Sequence, residues 1–203
     1  MKLGKHEHYF TKKPQSKKKE YAFGANLFGT LLKFVTASGV FSPRRVDLGT
    51  LTLIKYMQIK PGENVLDFGC GYGAIGIMAA KTCNKCNIVM VDINERAVAA
   101  AKQNIYLNNI KNAKAKQSFF YSGLKDEFFD VILLNPPMSA GLDVCYKIIE
   151  GAKEHLVTGG NLQVVSRHRK GGERIMQKME EIFGNVEVVA KKSGYRIYLS
   201  RKQ

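Results

Sequence analysis

From about residue 60 onward the chain alternates short apolar runs with amphipathic segments. Of all the features of the sequence, this alternation restricts the possible folds most strongly. Strands are predicted over 64–68, 88–92, 113–118, 129–134 and 161–166, and helices over 73–83, 94–109, 141–156 and 171–183. Turn-forming residues such as Asn108-Asn109 and Gly171-Gly172 separate these segments. Alternating β and α units predict an α/β fold that is doubly wound around a mostly parallel sheet.

The two ends of the chain depart from this alternation. Residues 26–41 are apolar enough to form short strands against the main body, and a helix is expected over about 47–57 with Asp47 as its cap. Near the other end, only a short link joins the predicted strands 187–190 and 195–198. They therefore form a hairpin, which makes one terminal strand antiparallel and the sheet seven-stranded.

The charge of the chain points to a class of partner. Its net charge is +15, from 32 basic and 17 acidic residues, which favours a polyanion such as RNA, DNA or anionic lipid. A basic surface kept for solubility is the alternative. Lysines are frequent and apolar periodicity is weak over residues 1–25, so we expect a basic N-terminal arm there and one domain over 26–203. We expect no membrane span or signal peptide, and a monomer or weak dimer.

The four cysteines form no dense disulfide framework, which predicts a cytoplasmic location. Cys83-Asn-Lys-Cys86 has no second ligand pair at a spacing that suits zinc. We therefore expect no metal and interpret this motif as a turn between a helix and a strand. Cys70 stands between two glycines and is interpreted as a small packing residue.

The loop Asp67-Phe-Gly69-Cys-Gly71-Tyr-Gly73 follows a predicted strand and leads into a predicted helix. A glycine-rich turn in this position lets the backbone approach a bound cofactor closely. The run from Gly71 to Gly76 also fits a dinucleotide-binding fingerprint, and Asp92 ends the next strand, where an acid can bind ribose hydroxyls. NAD is therefore a competing cofactor. The Asp67 carboxylate argues against it because that charge would repel a diphosphate, whereas a sulfonium and an amino acid tolerate it. Asp67 and Asp92 could alternatively cap helices.

Asn135-Pro-Pro137 follows the apolar strand that ends at Leu134. A side-chain amide and a prolyl carbonyl in this position can grip a planar nitrogen, although a stiff turn after the strand is the alternative. In combination with the glycine loop that precedes it along the chain, this motif points to methyl transfer from S-adenosylmethionine to an amino nitrogen.

Together these motifs resemble the class I S-adenosylmethionine-dependent methyltransferases, which have a Rossmann-like methyltransferase fold. The chain is similar in particular to the methyltransferase small domain group. This narrower resemblance extends over residues 8–200 and rests on His8-Tyr-Phe10, Gly39-Val-Phe-Ser42, Asp47-Leu-Gly-Thr50, Ala140-Gly141 and Gly194-Tyr195. Better-known bacterial members of the group methylate guanine N2 in ribosomal RNA. The resemblance implies an enzyme acting on an exocyclic amino group of a base in RNA, with guanine N2 favoured and adenine N6 open.

The resemblance also implies roles for individual residues. The implied cofactor-binding residues are Asp67, Gly69, Gly71, Gly73, Asp92, Ser118, Phe119 and Thr50. Asn135 and the carbonyl of Pro136, in the stiff segment that includes Pro137, would accept hydrogen bonds from the target amino group. Positioning, rather than a strong base, would then drive the reaction. The family often has an aromatic residue where this chain has Met138, so Met138 or Phe41 would contact the target ring.

Arg167, Arg169 and Lys170 follow strand 161–166, at the edge where such sheets bind cofactors, which makes them candidate RNA contacts. A merely solvated loop is the alternative, and His168 is interpreted as a surface or backbone-bonded residue. Two other functions stay open. One is a protein glutamine N-methyltransferase, whose relatives usually carry Tyr in place of Met138. The other is a non-catalytic RNA-binding or assembly factor.

Overall fold

The computed structural model describes residue 12 and residues 17–203, which form a seven-stranded sheet, flanking helices and a two-stranded hairpin. The strands are β1 (Glu20–Leu27), β2 (Thr30–Ala37), β3 (Asn64–Phe68), β4 (Asn87–Asp92), β5 (Ala113–Gln117), β6 (Phe129–Leu134), β7 (Leu156–Arg167), β8 (Glu187–Lys192) and β9 (Tyr195–Arg201). The helices are α1 (Leu48–Tyr56), α2 (Ala74–Thr82), α3 (Glu95–Leu107), α4 (Leu142–His155) and α5 (Glu173–Phe183). The predicted alternation of strands and helices is confirmed.

The sheet has the strand order β5-β4-β3-β6-β7-β9-β8. Strands β3 to β7 pair in parallel, whereas β9 runs antiparallel to both of its neighbours. The predicted doubly wound sheet with one antiparallel terminal strand is confirmed. Although β9 comes last along the chain, it lies inside the sheet between β7 and β8, so β8 forms that edge.

Two apolar layers enclose the sheet because its inner strands are apolar on both faces. In β6, Val131 and Leu133 pack into the layer beneath α1, α2 and α3, whereas Ile132 and Leu134 pack into the layer beneath α4 and α5. All four side chains are fully buried. Side chains that alternate in this way clamp β6 between the layers and hold the residue that follows it in a defined place.

The β1–β2 hairpin docks on α3 through two asparagines that are one helical turn apart. Asn104 Oδ1 accepts from the backbone N–H of Val35 at 2.7 Å, and its Nδ2 donates to the carbonyl of the same residue at 2.9 Å. Asn108 binds both backbone groups of Lys33 in the same way, at 3.0 and 2.8 Å. These amides replace the neighbouring strand that β2 lacks on this side. Asn104 Nδ2 also donates to the carbonyl of Tyr72 at 2.8 Å, which connects the hairpin to the glycine loop.

The hairpin begins inside the stretch 1–25 that the sequence analysis assigns to an arm, because β1 starts at Glu20. Residues 20–25 pair with β2 over their whole length. The rest of the expected arm lies largely at 1–11 and 13–16, outside the residues that the structure describes.

The segment Cys83–Cys86 forms the expected turn between α2 and β4, and a disulfide joins its two cysteines with their Cα atoms 5.4 Å apart. The cysteine pattern of the sequence, which lacks a dense disulfide framework, does not predict this bond. Cys70 and Cys145 are free and buried. Within the described residues, no cluster of three or more His, Cys, Asp or Glu side chains is arranged to hold a metal ion. None of the helices in this part of the chain is both long and apolar enough to span a membrane.

Candidate cofactor and substrate site

A cavity of about 940 Å³, counted to its open mouth, lies at the carboxyl edge of β3, β4 and β6. The loops after these strands converge because the carboxyl ends of parallel strands share one edge of the sheet. The sequence-predicted site residues that line the cavity are Phe41, Thr50, Gly69, Gly71, Asp92, Ser118, Asn135, Pro136 and Pro137. The structure therefore brings the glycine loop and the Asn-Pro-Pro motif to one cavity.

The glycine loop presents bare backbone to this cavity. Gly69 and Gly71 have φ angles of +71° and +57°, a region that favours glycine, and a Cβ atom added to either would meet no other group within 4 Å. The N–H groups of Gly69 and Cys70 both donate to the carbonyl of Val91, at 2.8 and 2.9 Å, which fixes the loop to β4. The open space at the two glycines lets a ligand approach the main chain closely.

Asp67 lies beneath the loop, is fully buried and does not line the cavity. Its Oδ2 accepts from the backbone N–H of Gly76 in the first turn of α2 at 2.8 Å, which is the helix-capping contact considered as an alternative. Its Oδ1 has no hydrogen-bond partner among the described residues. Burial raises the pKa of Asp67 to about 7, the Gly76 bond opposes this rise, and the charge of Asp92 adds to it.

Asp92 ends β4 and lines the cavity directly. Its Oδ2 accepts from the N–H of Gly71 and its Oδ1 from the N–H of Asn94, both at 2.9 Å. Burial raises the pKa of Asp92 to about 6, although these backbone bonds lower it. Each carboxylate oxygen keeps a lone pair after its backbone bond, so Asp92 can accept from two adjacent hydroxyl groups. The cap of α3 is Asn94, whose side chain accepts from the N–H groups of Arg96 and Ala97.

The loop after β5 supplies a wall of the cavity. Ser118 lines it, but the Ser118 hydroxyl is engaged within the loop: it donates to the carbonyl of Phe120 at 2.6 Å and accepts from the N–H of Gly123 at 3.0 Å. The predicted Phe119 is 56% exposed and does not line the cavity, whereas Phe120, which the sequence analysis did not select, does. Phe120 has φ +48°, and this left-handed turn changes which of the two rings faces inward.

Asn135 follows β6 and is held by a residue of α1. Its Nδ2 donates to the buried hydroxyl of Thr50 at 3.1 Å, and both side chains line the cavity. Among the described residues, the Oδ1 of Asn135 has no hydrogen-bond partner, so this oxygen can accept from a ligand. The carbonyl of Pro136 accepts from the N–H of Met138 at 2.8 Å and keeps its second lone pair. Phe41 also lines the cavity and is 40% exposed.

Met138 is not among the residues that line the cavity. Its Sδ lies 3.9 Å from the Sγ of Cys145 in α4, and its Cε would be 2.6 Å from a Cβ atom at Gly171. The side chain therefore packs between α4 and the turn His168–Gly172. Gly73 is also absent from the lining; it caps α2 in a left-handed conformation.

The predicted residues Arg167, Arg169 and Lys170 line a second, open groove, which we term the basic groove. It is lined by residues 167–170 and 191–196 and encloses about 960 Å³, counted to its open side. The sequence analysis does not include the β8–β9 hairpin among the candidate RNA contacts, although the adjacent Lys191 and Lys192 are a charge signal within it. The ring of His168 contacts the hydroxyl of Tyr198 at 3.0 Å, and its backbone N–H donates to the carbonyl of Gly194 at 3.1 Å.

Comparisons with known proteins show the family that the chain belongs to. The family model described as "Methyltransferase small domain" matches residues 31–199. The uncharacterised protein YbxB of Bacillus subtilis is 38% identical over 198 residues, which cover 97% of this chain and 98% of YbxB. Ribosomal RNA small subunit methyltransferase C of Mannheimia succiniciproducens is 32% identical over 164 residues, which cover 79% of this chain and 48% of that protein.

A solved structure gives a similar result. The 16S rRNA guanine-N2 methyltransferase RsmC of Thermus thermophilus, in complex with AdoMet and guanosine, superposes with a TM-score of 0.80 at 28% identity. The match covers 94% of this chain and 52% of that one. This chain thus spans about half the length of the ribosomal RNA methyltransferases that it matches.

Proposed function

The chain belongs to the methyltransferase small domain family of S-adenosylmethionine-dependent methyltransferases, and on that premise we propose that it methylates an exocyclic amino group of a base in RNA, most specifically N2 of guanine in ribosomal RNA. The observation that carries the proposal is the Asn135 amide, held by Thr50 in the cavity that the glycine loop also lines. An amide acceptor in this place suits an amino group as the methyl acceptor.

The residues around the cavity fit the cofactor. The open positions at Gly69 and Gly71 accommodate a ligand against the main chain, and Asp92 offers two acceptors that suit the ribose hydroxyls. In its ionised form, Asp67 places negative charge beneath the loop, where it complements the ammonium and sulfonium groups of S-adenosylmethionine. When bound, the cofactor supplies an electrophilic methyl group on a cationic sulfur.

The protein's contribution to the reaction is to orient the acceptor nitrogen. The Oδ1 of Asn135 and the carbonyl of Pro136 each accept one N–H of the target amine, which directs the nitrogen lone pair toward the methyl group. Because Thr50 engages Nδ2, the amide keeps its oxygen available for this role. We expect the positioning of the two reactants by fixed dipoles to drive the reaction without a strong base.

Three observations favour an RNA base over other amino groups. Both the methyltransferase C relative and RsmC bear names that specify ribosomal RNA, and the RsmC complex holds guanosine as well as AdoMet. The net charge of +15 suits a polyanionic substrate. In addition, Phe41 lines the cavity, where an aromatic ring suits contact with a planar base that has left its helix.

The experiment that tests this proposal follows labelled methyl from S-adenosylmethionine into ribosomal RNA from a strain that lacks the gene. A parallel reaction contains soluble protein from the same strain, and both products are digested and separated by nucleoside or residue. We expect label in N2-methylguanosine. Label in N6-methyladenosine would preserve the mechanism and change the base, whereas label confined to glutamine would replace RNA with protein as the substrate. Cofactor binding without any transfer would favour a non-catalytic role.

A further inference from the structure

The basic groove lies at the same edge of the sheet as the cavity. Strand β7 is the parallel neighbour of β6 and ends at Arg167, which pairs with Tyr195 at the start of β9; Tyr195 in turn pairs with Lys192 at the end of β8. Neighbouring strands are about 4.8 Å apart, so the groove extends sideways from β6 over roughly 5 to 15 Å. A ligand of that length can occupy the groove and the cavity together.

The lining of the groove is cationic and, among the residues that the structure describes, contains no acidic residue. Its six cations are Arg167, Arg169, Lys170, Lys191, Lys192 and Arg196. All except the half-buried Arg196 are exposed. In the part of the chain that the structure describes, the ion pairs involve none of these six residues. The groove therefore concentrates positive charge that the described acidic residues do not pair with, which is the electrostatic requirement for binding a polyanion.

A direct packing contact joins the groove to the Asn-Pro-Pro segment. The methyl group of Met138 packs against Gly171 in the turn His168–Gly172, where even one added Cβ atom would lie 2.6 Å from it. The cations on this turn are thereby held beside the residue that follows Asn135-Pro-Pro137. Arg167 is held as well, because its guanidinium lies 5.4 Å from the centre of the Tyr195 ring.

We propose that the basic groove binds the phosphates of the RNA strand that flanks the target base, so that the strand runs from the cavity across the β8–β9 hairpin. This inference rests on the proposed function. A ligand that fills both sites must combine a run of negative charges with a planar group bearing an amine. An RNA strand with one base turned into the cavity has this combination.

The test compares two variants that lose the same charge at opposite edges of the sheet. The groove variant carries Lys191→Gln, Lys192→Gln and Arg196→Gln. The control variant carries Lys85→Gln, Lys111→Gln and Lys125→Gln, three exposed lysines that precede β4, β5 and β6. Binding of a fluorescent random-sequence 20-nucleotide single-stranded RNA is measured at several salt concentrations.

For the groove variant we expect the slope of log affinity against log salt to become shallower by about 2, because each lost phosphate contact on a single strand contributes about 0.7. The slope of the control variant should stay close to that of the wild type. A second variant, Arg169→Gln with Lys170→Gln, should make the slope shallower by about 1.4 without altering β8 or β9. Melting temperature and cofactor affinity, measured for every variant, show whether the fold and the cofactor site are intact.

Methyl transfer to ribosomal RNA separates the fate of this inference from that of the proposed function. We expect the groove variants to raise KM for RNA while kcat is kept. Equal salt slopes for groove and control variants would overturn the proposal that the basic groove binds RNA phosphates, even if the wild type methylates RNA and the proposed function stands. If the wild type transfers no methyl group to RNA, both the proposed function and the proposed role of the groove would be overturned. Transfer to protein, impaired by the groove variant, would assign the groove to an acidic protein.

Discussion

Asn135 owes its proposed role to an oxygen atom whose direction another residue sets. Replacing Asn135 with Ala removes this acceptor, and we expect kcat for methyl transfer to fall by about 10²-fold or more, as when one preorganised hydrogen-bonding group is lost from an active site. The dissociation constant for S-adenosylmethionine, measured by calorimetry, should change less than about twofold, since the glycine loop and Asp92 are untouched. Lost cofactor affinity would instead place Asn135 in the cofactor site.

Thr50 is expected to act through Asn135. Thr50→Val keeps the shape of the side chain but leaves the Asn135 Nδ2 without its acceptor, at a cost of about 1–3 kcal/mol. We therefore expect kcat to fall by roughly 10-fold or more with cofactor affinity retained, and Thr50→Ser, which restores the hydroxyl, to recover most of the rate. If Thr50 instead binds the cofactor directly, Thr50→Val will weaken cofactor binding while kcat at saturation is preserved.

At the residue scale, the sequence specifies the site well where a motif fixes the backbone. The glycine spacing and the Asn-Pro-Pro run identify Gly69, Gly71 and Asn135 as cavity residues because their chemistry depends on local conformation. Phe120 could not be found in this way. Its place on the cavity wall depends on one left-handed residue in an irregular loop, and nothing in the run Phe119-Phe120 reveals which ring turns inward.

At the scale of elements, the β1–β2 hairpin depends on side chains of α3. Asn104→Ala leaves both backbone groups of Val35 and the carbonyl of Tyr72 without their partner. We expect a loss of about 2–4 kcal/mol in the free energy of unfolding, since a buried polar group left unpaired costs about 1–3 kcal/mol and the two groups of Val35 are only partly buried. In hydrogen exchange, the amide of Val35 should lose protection. Asn108→Ala is the matched control, because it releases Lys33 but not Tyr72.

Cofactor affinity distinguishes these two substitutions. Asn104→Ala should weaken S-adenosylmethionine binding, because the carbonyl of Tyr72 belongs to the glycine loop, whereas Asn108→Ala should not. Equal effects on affinity would mean that the hairpin and the loop are not coupled through Asn104. The sequence predicts that 26–41 forms strands, but not this docking, because Asn104 and Val35 are 69 residues apart and a single asparagine in a helix carries no local signal for it.

At the scale of the whole molecule, the raised pKa values of Asp67 and Asp92 make stability depend on pH. The pKa of Asp67 is about 7 and that of Asp92 about 6 in the folded protein, both above the value of about 3.9 in an unfolded chain. The folded state therefore binds more protons than the unfolded state between about pH 4 and 7. The resulting stabilisation is fully present below pH 4 and is lost as pH rises through 6 and 7.

Asp67→Asn should flatten this dependence, because the amide does not titrate. Without cofactor, we expect the melting temperature of this variant to rise relative to that of the wild type as pH increases from 5 to 8. Thermal unfolding at a series of pH values, followed by circular dichroism, measures the difference between the two curves. Parallel curves would show that Asp67 stays ionised throughout this range, contrary to the pKa that its burial implies.

The position of β9 has a consequence for the order in which a growing chain acquires its parts. Every residue that lines the cavity, up to Ile148, is synthesised before β9, whereas β8 has no strand to pair with until β9 inserts between it and β7. Until then β7 keeps an open edge, which is a template for association with other chains. The residues of the cavity are thus synthesised early and the basic groove is completed last, so an unfinished chain has no completed groove with which to bind a polyanion.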